Sequence, residues 1–350
     1  MSGKARKQRN NIFEVIEYFL RDRKIEFIFL SRNFINFSGQ IQKIYPWVRI
    51  ISLVHIPYIK KGLKELLCII DLSRIFRYLS TTHLTFEDLL NIDYPKEYLK
   101  ELDVVRRYVR DDATVYFFTP FGYRNFKNIE KIMLCAKFTD IELIDENLFK
   151  AHKRKLVKYK FEEGKFTIEE TTSLKKIGKI QEFAKKILND FNFDIRIDSL
   201  FNLYSDFFLV YNNYKEEEII SFARYTWYIP NHFLPCMLAV EENTSRHIKV
   251  ESPARFHYAE LFAPYINNVW GYVAYREITK VLLEHCRRIN TYAIFTTCNA
   301  NDRSAKHFFT EIFGFRDTGI VLKYGTFGGR WSLLVGEKDK IYPRIKRFLE

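Results

Sequence analysis

Two stretches in the second half of the chain carry residues whose types and spacing suit chemistry. Residues 301–315 read as a loop followed by a helix. Asn301 and Asp302 are short polar side chains of the kind that satisfy the free N–H groups of a first helical turn. Phe308, Ile312 and Phe315 recur on one face at helical spacing, and Gly314 can take the left-handed conformation that closes a helix. The second stretch, Asn267-Asn268-Val-Trp-Gly271-Tyr-Val273, sets a lone glycine at the head of a long amphipathic helix. Backbone N–H groups at such a point, with the helix dipole behind them, favour an anion. The cysteines add no chemistry of their own. Cys68, Cys135, Cys236, Cys286 and Cys298 are scattered and form neither a CxxC pair nor a cluster with His. No metal site and no disulfide framework is expected, and a reducing cytoplasm suits them.

The elements that must position these stretches alternate strand and helix. Residues 166–170 read as a strand, and 174–188 as a helix with Ile177, Ile180, Phe183, Ala184 and Ile187 inward. Residues 207–211 and 218–227 pair as a hairpin around the charged turn at 214–218. A strand at 256–264, a helix at 272–288, a strand at 293–297 and a helix at 301–313 follow. The chain closes with a hairpin of 320–323 and 331–336 through the glycines at 325–329.

The first half alternates too. Strands are predicted at 26–30, 48–54, 66–71, 113–119, 139–145 and 149–158, with helices at 34–44, 59–67, 94–109 and 126–136. Such alternation predicts an α/β fold with a mostly parallel, doubly wound sheet. The polar, glycine-containing stretch 161–164 is the expected boundary. This divides the chain into a mobile basic tail (1–10), a Rossmann-like domain (11–160) and a second domain with a mixed sheet flanked by helices (161–350).

Length, composition and charge are compatible with that plan. The chain has 350 residues, 47% of them hydrophobic, which excludes general disorder. No apolar run has the length of a membrane span, and the basic N-terminus lacks the apolar core of a secretory signal. The net charge of +13 fits an anionic ligand. The basic runs at 4–9 and 152–155 are not interleaved with a nucleic-acid motif, so nucleic acid is not the expected partner.

The segment 301–315, with its Asn after a strand, small residue, aromatic and Gly-Phe, resembles the signature near the end of the Gcn5-related N-acetyltransferase (GNAT) fold. The order of elements over 166–336 is similar to that family's. The resemblance implies acetyl-CoA, or another acyl-CoA, as cofactor. It also implies acyl transfer by direct attack of a small-molecule amine or amino-acid-like acceptor in a ternary complex. Leu261, Phe262 and Ala263 match the end of the family's fourth strand, and Gly271 its central turn glycine. Asn268 stands where an Arg or Gln is usual, and Val273 where a Gly or Ala is. Asn268, Val269, Trp270, Gly271, Tyr272, Val273, Asn301, Ser304 and Phe308 are the implied cofactor contacts. Glu260 and His257 are candidate bases. Strand alternation puts them on opposite faces, and His257 also fits a core or surface role. The family's acid, a tyrosine in the helix after the fifth strand, is replaced by Phe308 or Phe309. A phenyl ring cannot donate a proton, which leaves water or Tyr324. Arg224, Trp227 and Tyr228 border the implied acceptor site, although strand packing accounts for each of them equally well. Two alternatives stand beside this enzyme: an inactive GNAT-like binding or regulatory protein, and a synthase of N-acyl amino acids or acyl lactones.

Residues 66–158 resemble the C-terminal part of class I S-adenosylmethionine-dependent methyltransferases, from the helix at 98–109 and the strand after Asp111-Asp112 to the closing hairpin. The cofactor features are missing. The turn after Leu30 reads Ser31-Arg32-Asn33-Phe34, with no glycine until Gly39. His55-Ile-Pro57 stands where an acidic residue is expected, and one strand–helix unit is absent before Leu66. The resemblance therefore implies a degenerate, non-catalytic relative. A Rossmann-like domain of other origin is the alternative.

Overall fold

In the computed structural model the chain divides into two compact units. One is formed by Met1–Thr81 with Pro95–Lys155, the other by Thr82–Tyr94 with Leu156–Glu350. The structure describes residues 3–23, 25–53, 62–72, 96–120, 129–130, 133–134, 136–187, 205–215, 218–227, 257–262, 270–288, 291–322 and 330–349.

The first unit is built on β1 (Phe27–Leu30), β2 (Arg49–Ile51), β3 (Leu63–Ile69), β4 (Val109–Phe118), β5 (Phe138–Asp145) and β6 (Leu148–Lys153), in the order β2-β1-β3-β4-β6-β5. The first four strands are parallel, and β6 runs antiparallel to both β4 and β5. Ile28–Leu30 and Leu66–Ile69 are continuous apolar runs buried throughout, as strands covered on both faces must be. Helices are α1 (Gly3–Tyr18), α2 (Ser38–Ile44) and α3 (Lys96–Tyr108). Ile12, Ile16 and Phe19, at helical spacing along α1 and the π turn that follows it, join Ile28, Leu30, Tyr116 and Phe118 in one core.

Several expectations for this half are corrected. Residues 3–10, expected as a tail, form the first turns of α1. Residues 63–67, expected to end a helix, are strand β3, because parallel pairing with β1 and β4 on either side outweighs local propensity. Residues 54–61 lie outside the described set. The stretch read as one strand at 149–158 is split. β6 ends at Lys153, and β7 (Lys158–Phe161) belongs to the second sheet. The boundary expected at 161–164 is the tight turn between β7 and β8 (Phe166–Thr171), with Glu162, Glu163 and Gly164 all at positive φ. The units part instead between Lys155 and Leu156.

The second unit carries an eight-stranded sheet in the order β13-β14-β12-β11-β10-β9-β8-β7. Its remaining strands are β9 (Ser205–Asn212), β10 (Glu218–Trp227), β11 (His257–Phe262), β12 (Thr291–Asn299), β13 (Arg316–Leu322) and β14 (Trp331–Glu337). Among the described pairings only β11–β12 is parallel. A parallel pair needs a crossover, and α5 (Gly271–Arg288) lies in that connection. The sheet is covered on both faces. α4 (Leu174–Ile187) packs Ile177, Ile180 and Ala184 on Phe207, Leu209, Tyr211 and Phe222. The alternate residues Asp206, Phe208 and Tyr225 meet His285 of α5. α6 (Arg303–His307) and α7 (Lys338–Leu349) are its other described helices; the sequence pattern did not announce α7. The architecture is the predicted one: α/β, a mostly parallel sheet followed by a mixed sheet flanked by helices.

Candidate functional site

The parallel strands β11 and β12 part at their C-terminal ends. Their register runs His257↔Thr291, Tyr258↔Ala293, Ala259↔Ile294 and Glu260↔Phe295, and stops there. β11 continues to Phe262 paired with β10, Leu261 opposite Tyr225 and Phe262 opposite Arg224. β12 continues to Asn299 paired with β14. Among the described residues, the facing backbone edges beyond Glu260 and Phe295 thus have no register with each other. A notch inside a sheet presents N–H and C=O groups to whatever enters it, since backbone groups seek partners.

α5 is the next described element after β11 in the chain. Ala274 N–H donates to the Trp270 carbonyl at 2.9 Å, which makes Trp270 the N-cap and Gly271 the first helical residue. Tryptophan has no acceptor to offer, so the cap side chain satisfies none of the N–H groups of the first turn. The Trp270 ring instead packs on Phe166, 4.8 Å between centroids, and pins the helix start to β8. Gly271 is buried, Val273 half-buried and Tyr272 exposed.

The stretch 301–315 is brought to the same place by rings. Asp302 is the N-cap of α6, its carboxylate accepting from Ala305 N–H at 2.9 Å. α6 runs into a π turn, Phe308–Ile312, which Gly314 closes at φ 75°. The π turn changes the predicted face. One extra residue per turn brings Phe313, not Ile312, back beside Phe308, their rings 4.5 Å apart. Phe313 is buried and Ile312 is exposed. Phe308 in turn sits 6.1 Å from the ring of Tyr275, one turn into α5. Burial pushes the Tyr275 hydroxyl well above the ordinary tyrosine range. It keeps its proton at neutral pH. The sequence reading passed over Tyr275; its only signal was an aromatic four residues after Gly271.

The predicted site residues are distributed as follows. Glu260 stands at the last paired rank of β11, opposite Thr226 on one side and Phe295 on the other. His257 stands at the first rank, opposite Thr291, about 10 Å back along the strand at ~3.3 Å per residue. The structure therefore separates the two candidate bases. Arg224 is buried on β10, opposite Phe262 at the parting. Trp227 lies opposite Ala259. Asn301 and Ser304 are exposed. Ala263, Asn268, Val269, Tyr228 and Tyr324 lie outside the described residues. Among the described residues no cluster of His, Cys, Asp and Glu could hold a metal.

In the first unit the strand order reverses between β1 and β3, the place where open α/β sheets take their ligands. Here the turn after β1 is occupied by the chain itself. The Arg32 N–H donates to Glu101 Oε1 at 2.7 Å, and Asn33 Nδ2 donates to Asp71 Oδ2 at 3.1 Å. Phe34 fills the core beneath. Glu101 and Asp71 are both buried.

No protein-family model matches the chain, and no curated protein matches it. Solved structures do. An N-acyl amino acid synthase from uncultured soil microbes, FeeM, is 10% identical, with 56% of this chain and 100% of that chain covered and a TM-score of 0.40. Mutant forms of the spermidine/spermine N-acetyltransferase SpeG from Vibrio cholerae are 14% identical, covering 51% and 98%, with a TM-score of 0.33. The putative acetyltransferase yncA from Salmonella typhimurium, solved with acetyl-CoA, is 11% identical, covering 50% and 94%, also at 0.33. At these values the similarity concerns the fold and assigns no activity.

Proposed function

We propose that the second unit is a GNAT-type N-acyltransferase that moves an acetyl or other acyl group from acyl-CoA to a small amine or amino-acid-like acceptor. The observation that carries this reading is the parting of β11 and β12 beyond Glu260 and Phe295, with α5 starting from beyond the end of β11. An extended, amide-bearing thioester arm would enter the notch and pair with its backbone groups. The diphosphate would lie on the N–H groups of Gly271, Tyr272 and Val273, which a tryptophan N-cap leaves available. The cofactor would supply the activated thioester; the chain's own residues orient it and handle protons. Glu260, at the parting, would take the proton of the attacking amine. Tyr275, protonated and beside Phe308, would hold a proton for the departing thiolate, the part that Phe308 cannot play. Arg224, buried beside Phe262, would favour an acidic acceptor.

We further propose that the first unit is a degenerate relative of the methyltransferase fold, one parallel strand short among the described residues, with no cofactor role. The sheet order β2-β1-β3-β4-β6-β5 and the self-filled turn after β1 support it.

Calorimetric titration of the full chain with acetyl-CoA tests the first proposal, and no detectable heat near millimolar concentration would refute it. Thiol release across an amine panel separates enzyme from binding protein. Glu260→Gln is expected to lower kcat by about 10²–10⁴-fold, the usual worth of a general base, while leaving the affinity for acetyl-CoA unchanged.

A further inference from the structure

The net charge of the chain is carried by its first unit. Of the 56 Lys and Arg and the 43 Asp and Glu, that unit holds 28 and 16, which is +12 of the net +13. Residues 1–53 alone hold ten basic residues against Glu14, Glu17, Asp22 and Glu26. Lys4, Arg6, Lys7 and Arg9 fall in the first two turns of α1, whose first turn has no acidic residue. The helix dipole already makes that end positive, so these cations suit an external anion better than they suit the helix. Such a charge asymmetry within a chain points to a nucleic acid or an anionic membrane surface.

An exposed apolar turn in the same unit separates these two partners. α2 ends at Ile44, and Tyr45 N–H donates to the Ile41 carbonyl at 2.7 Å. A β turn follows, closed by Val48 N–H donating to the Tyr45 carbonyl at 3.0 Å. Pro46 takes its second position, which matches the fixed φ of proline. Ile41 and Val48 are buried on either side, and Tyr45 packs on the same core. Ile44 and Trp47 are left outside, 53% and 62% exposed. The Trp47 ring stands edge-on to Tyr45, 5.8 Å between centroids, so the tip is held in place. Lys43 and Arg49 flank the turn and are exposed. Glu17 and Arg21, whose charges reach the Tyr45 hydroxyl, are paired with each other at 3.2 Å. A nucleic acid would stack its bases on aromatic faces, and Ile44 has none. A bilayer interface takes both side chains: tryptophan settles at the headgroup level, and an aliphatic chain reaches the acyl boundary.

We propose that the first unit docks on an anionic lipid bilayer through the turn 44–47, with Ile44 and Trp47 in the headgroup layer and Lys43 and Arg49 against lipid phosphates. The inference is independent of the acyl-transfer reading, since it uses no residue of the second unit.

The test is co-sedimentation of the full-length chain with vesicles of phosphatidylcholine alone, or with about one quarter phosphatidylglycerol. The chain is expected to sediment with the mixed vesicles and not with the neutral ones. Salt at about 1 M should release most of it, since screening then acts within a few ångströms. Trp47→Ala should weaken partitioning about tenfold, the worth of one large apolar side chain, and Trp47→Phe should restore most of it. Lys43→Glu with Arg49→Glu should weaken it at least about tenfold, because each cation near the surface contributes to binding. All four positions are exposed, so helix content should stay at the parental value in each variant. No sedimentation with the mixed vesicles up to about 1 mM lipid, a floor near that of weak binding, would overturn the proposal. Equal binding to both vesicles, or a folded Trp47→Ala that binds like the parent, would do the same. So would a labelled single-stranded RNA that binds the parent more tightly than the mixed vesicles do and loses affinity on Trp47→Ala, which would assign the turn to base stacking.

Discussion

Asp206 and His285 form an ion-pair geometry of 2.8 Å with both side chains fully buried. The His285 ring stands edge-on to Phe208 and Tyr225, 5.3 and 5.1 Å between centroids. Removing one member of such a pair strands the other in a place water cannot reach. Asp206→Ala is expected to cost about 3–5 kcal/mol, measured by urea unfolding. A loss below about 1 kcal/mol, the range of an exposed pair, would show that the pair holds nothing. Gly271 makes a sharper test of function. A carboxylate there would satisfy the dipole and the free N–H groups itself and repel a diphosphate. Gly271→Asp should therefore abolish acetyl-CoA binding in a titration while the helix content stays unchanged. Gly271 was legible in the sequence because a glycine at a helix head is a local signal. Tyr275 was not, because its interest comes from Phe308, 33 positions away in the chain and adjacent only in the fold.

At the scale of elements, the π turn after α6 decides which side chains are core. Phe313 is 2% exposed and Ile312 38% exposed. Phe313→Ala should cost about 3–5 kcal/mol, whereas Ile312→Ala should stay within about 0.5 kcal/mol, as surface changes do. Equal costs in thermal or urea unfolding would mean that the turn is an ordinary α turn, as periodicity predicts. The same helix is tied to β13 by Lys306 and Asp317. Desolvation raises the Asp317 carboxyl, but the hydrogen bonds from Lys306 and Gly319 and the lysine's charge outweigh it, leaving the group below its ordinary value of 3.8. A carboxyl depressed on folding stabilises above the unfolded value and loses that contribution as pH falls through the lower folded one. The melting temperatures of the parent and Asp317→Asn should therefore differ by a constant amount at neutral pH and converge only below about pH 3.8. Convergence already near pH 6 would rule out this assignment.

At the scale of the whole molecule, two sheets of different kinds sit in one chain. In the first, Glu101 and Asp71 already hold the turn after β1. Calorimetry of the full chain with S-adenosylmethionine is expected to show no binding at micromolar concentrations. Saturable binding there would reverse the account of that turn.

Local pattern was enough for much of this architecture. Alternation predicted β9, β10 and their hairpin, helical spacing predicted α4 with Ile177, Ile180 and Ala184 inward, and Asp302 and Gly314 bounded α6 together with its π turn. The absence of glycine at Ser31–Phe34 was itself readable, since it depends on residue type alone. What remained for tertiary structure is whatever depends on a distant partner. Leu63–Leu67 carries a spacing that serves helix or strand, and pairing with β1 and β4 chose strand. The polar turn at 161–164 suits a linker or a hairpin, and the pairing of β7 with β8 chose hairpin. The parting of β11 from β12 and the meeting of Tyr275 with Phe308 have no local signature. Periodicity records which face of an element is buried, but register and partner are set by burial against residues far away in the chain.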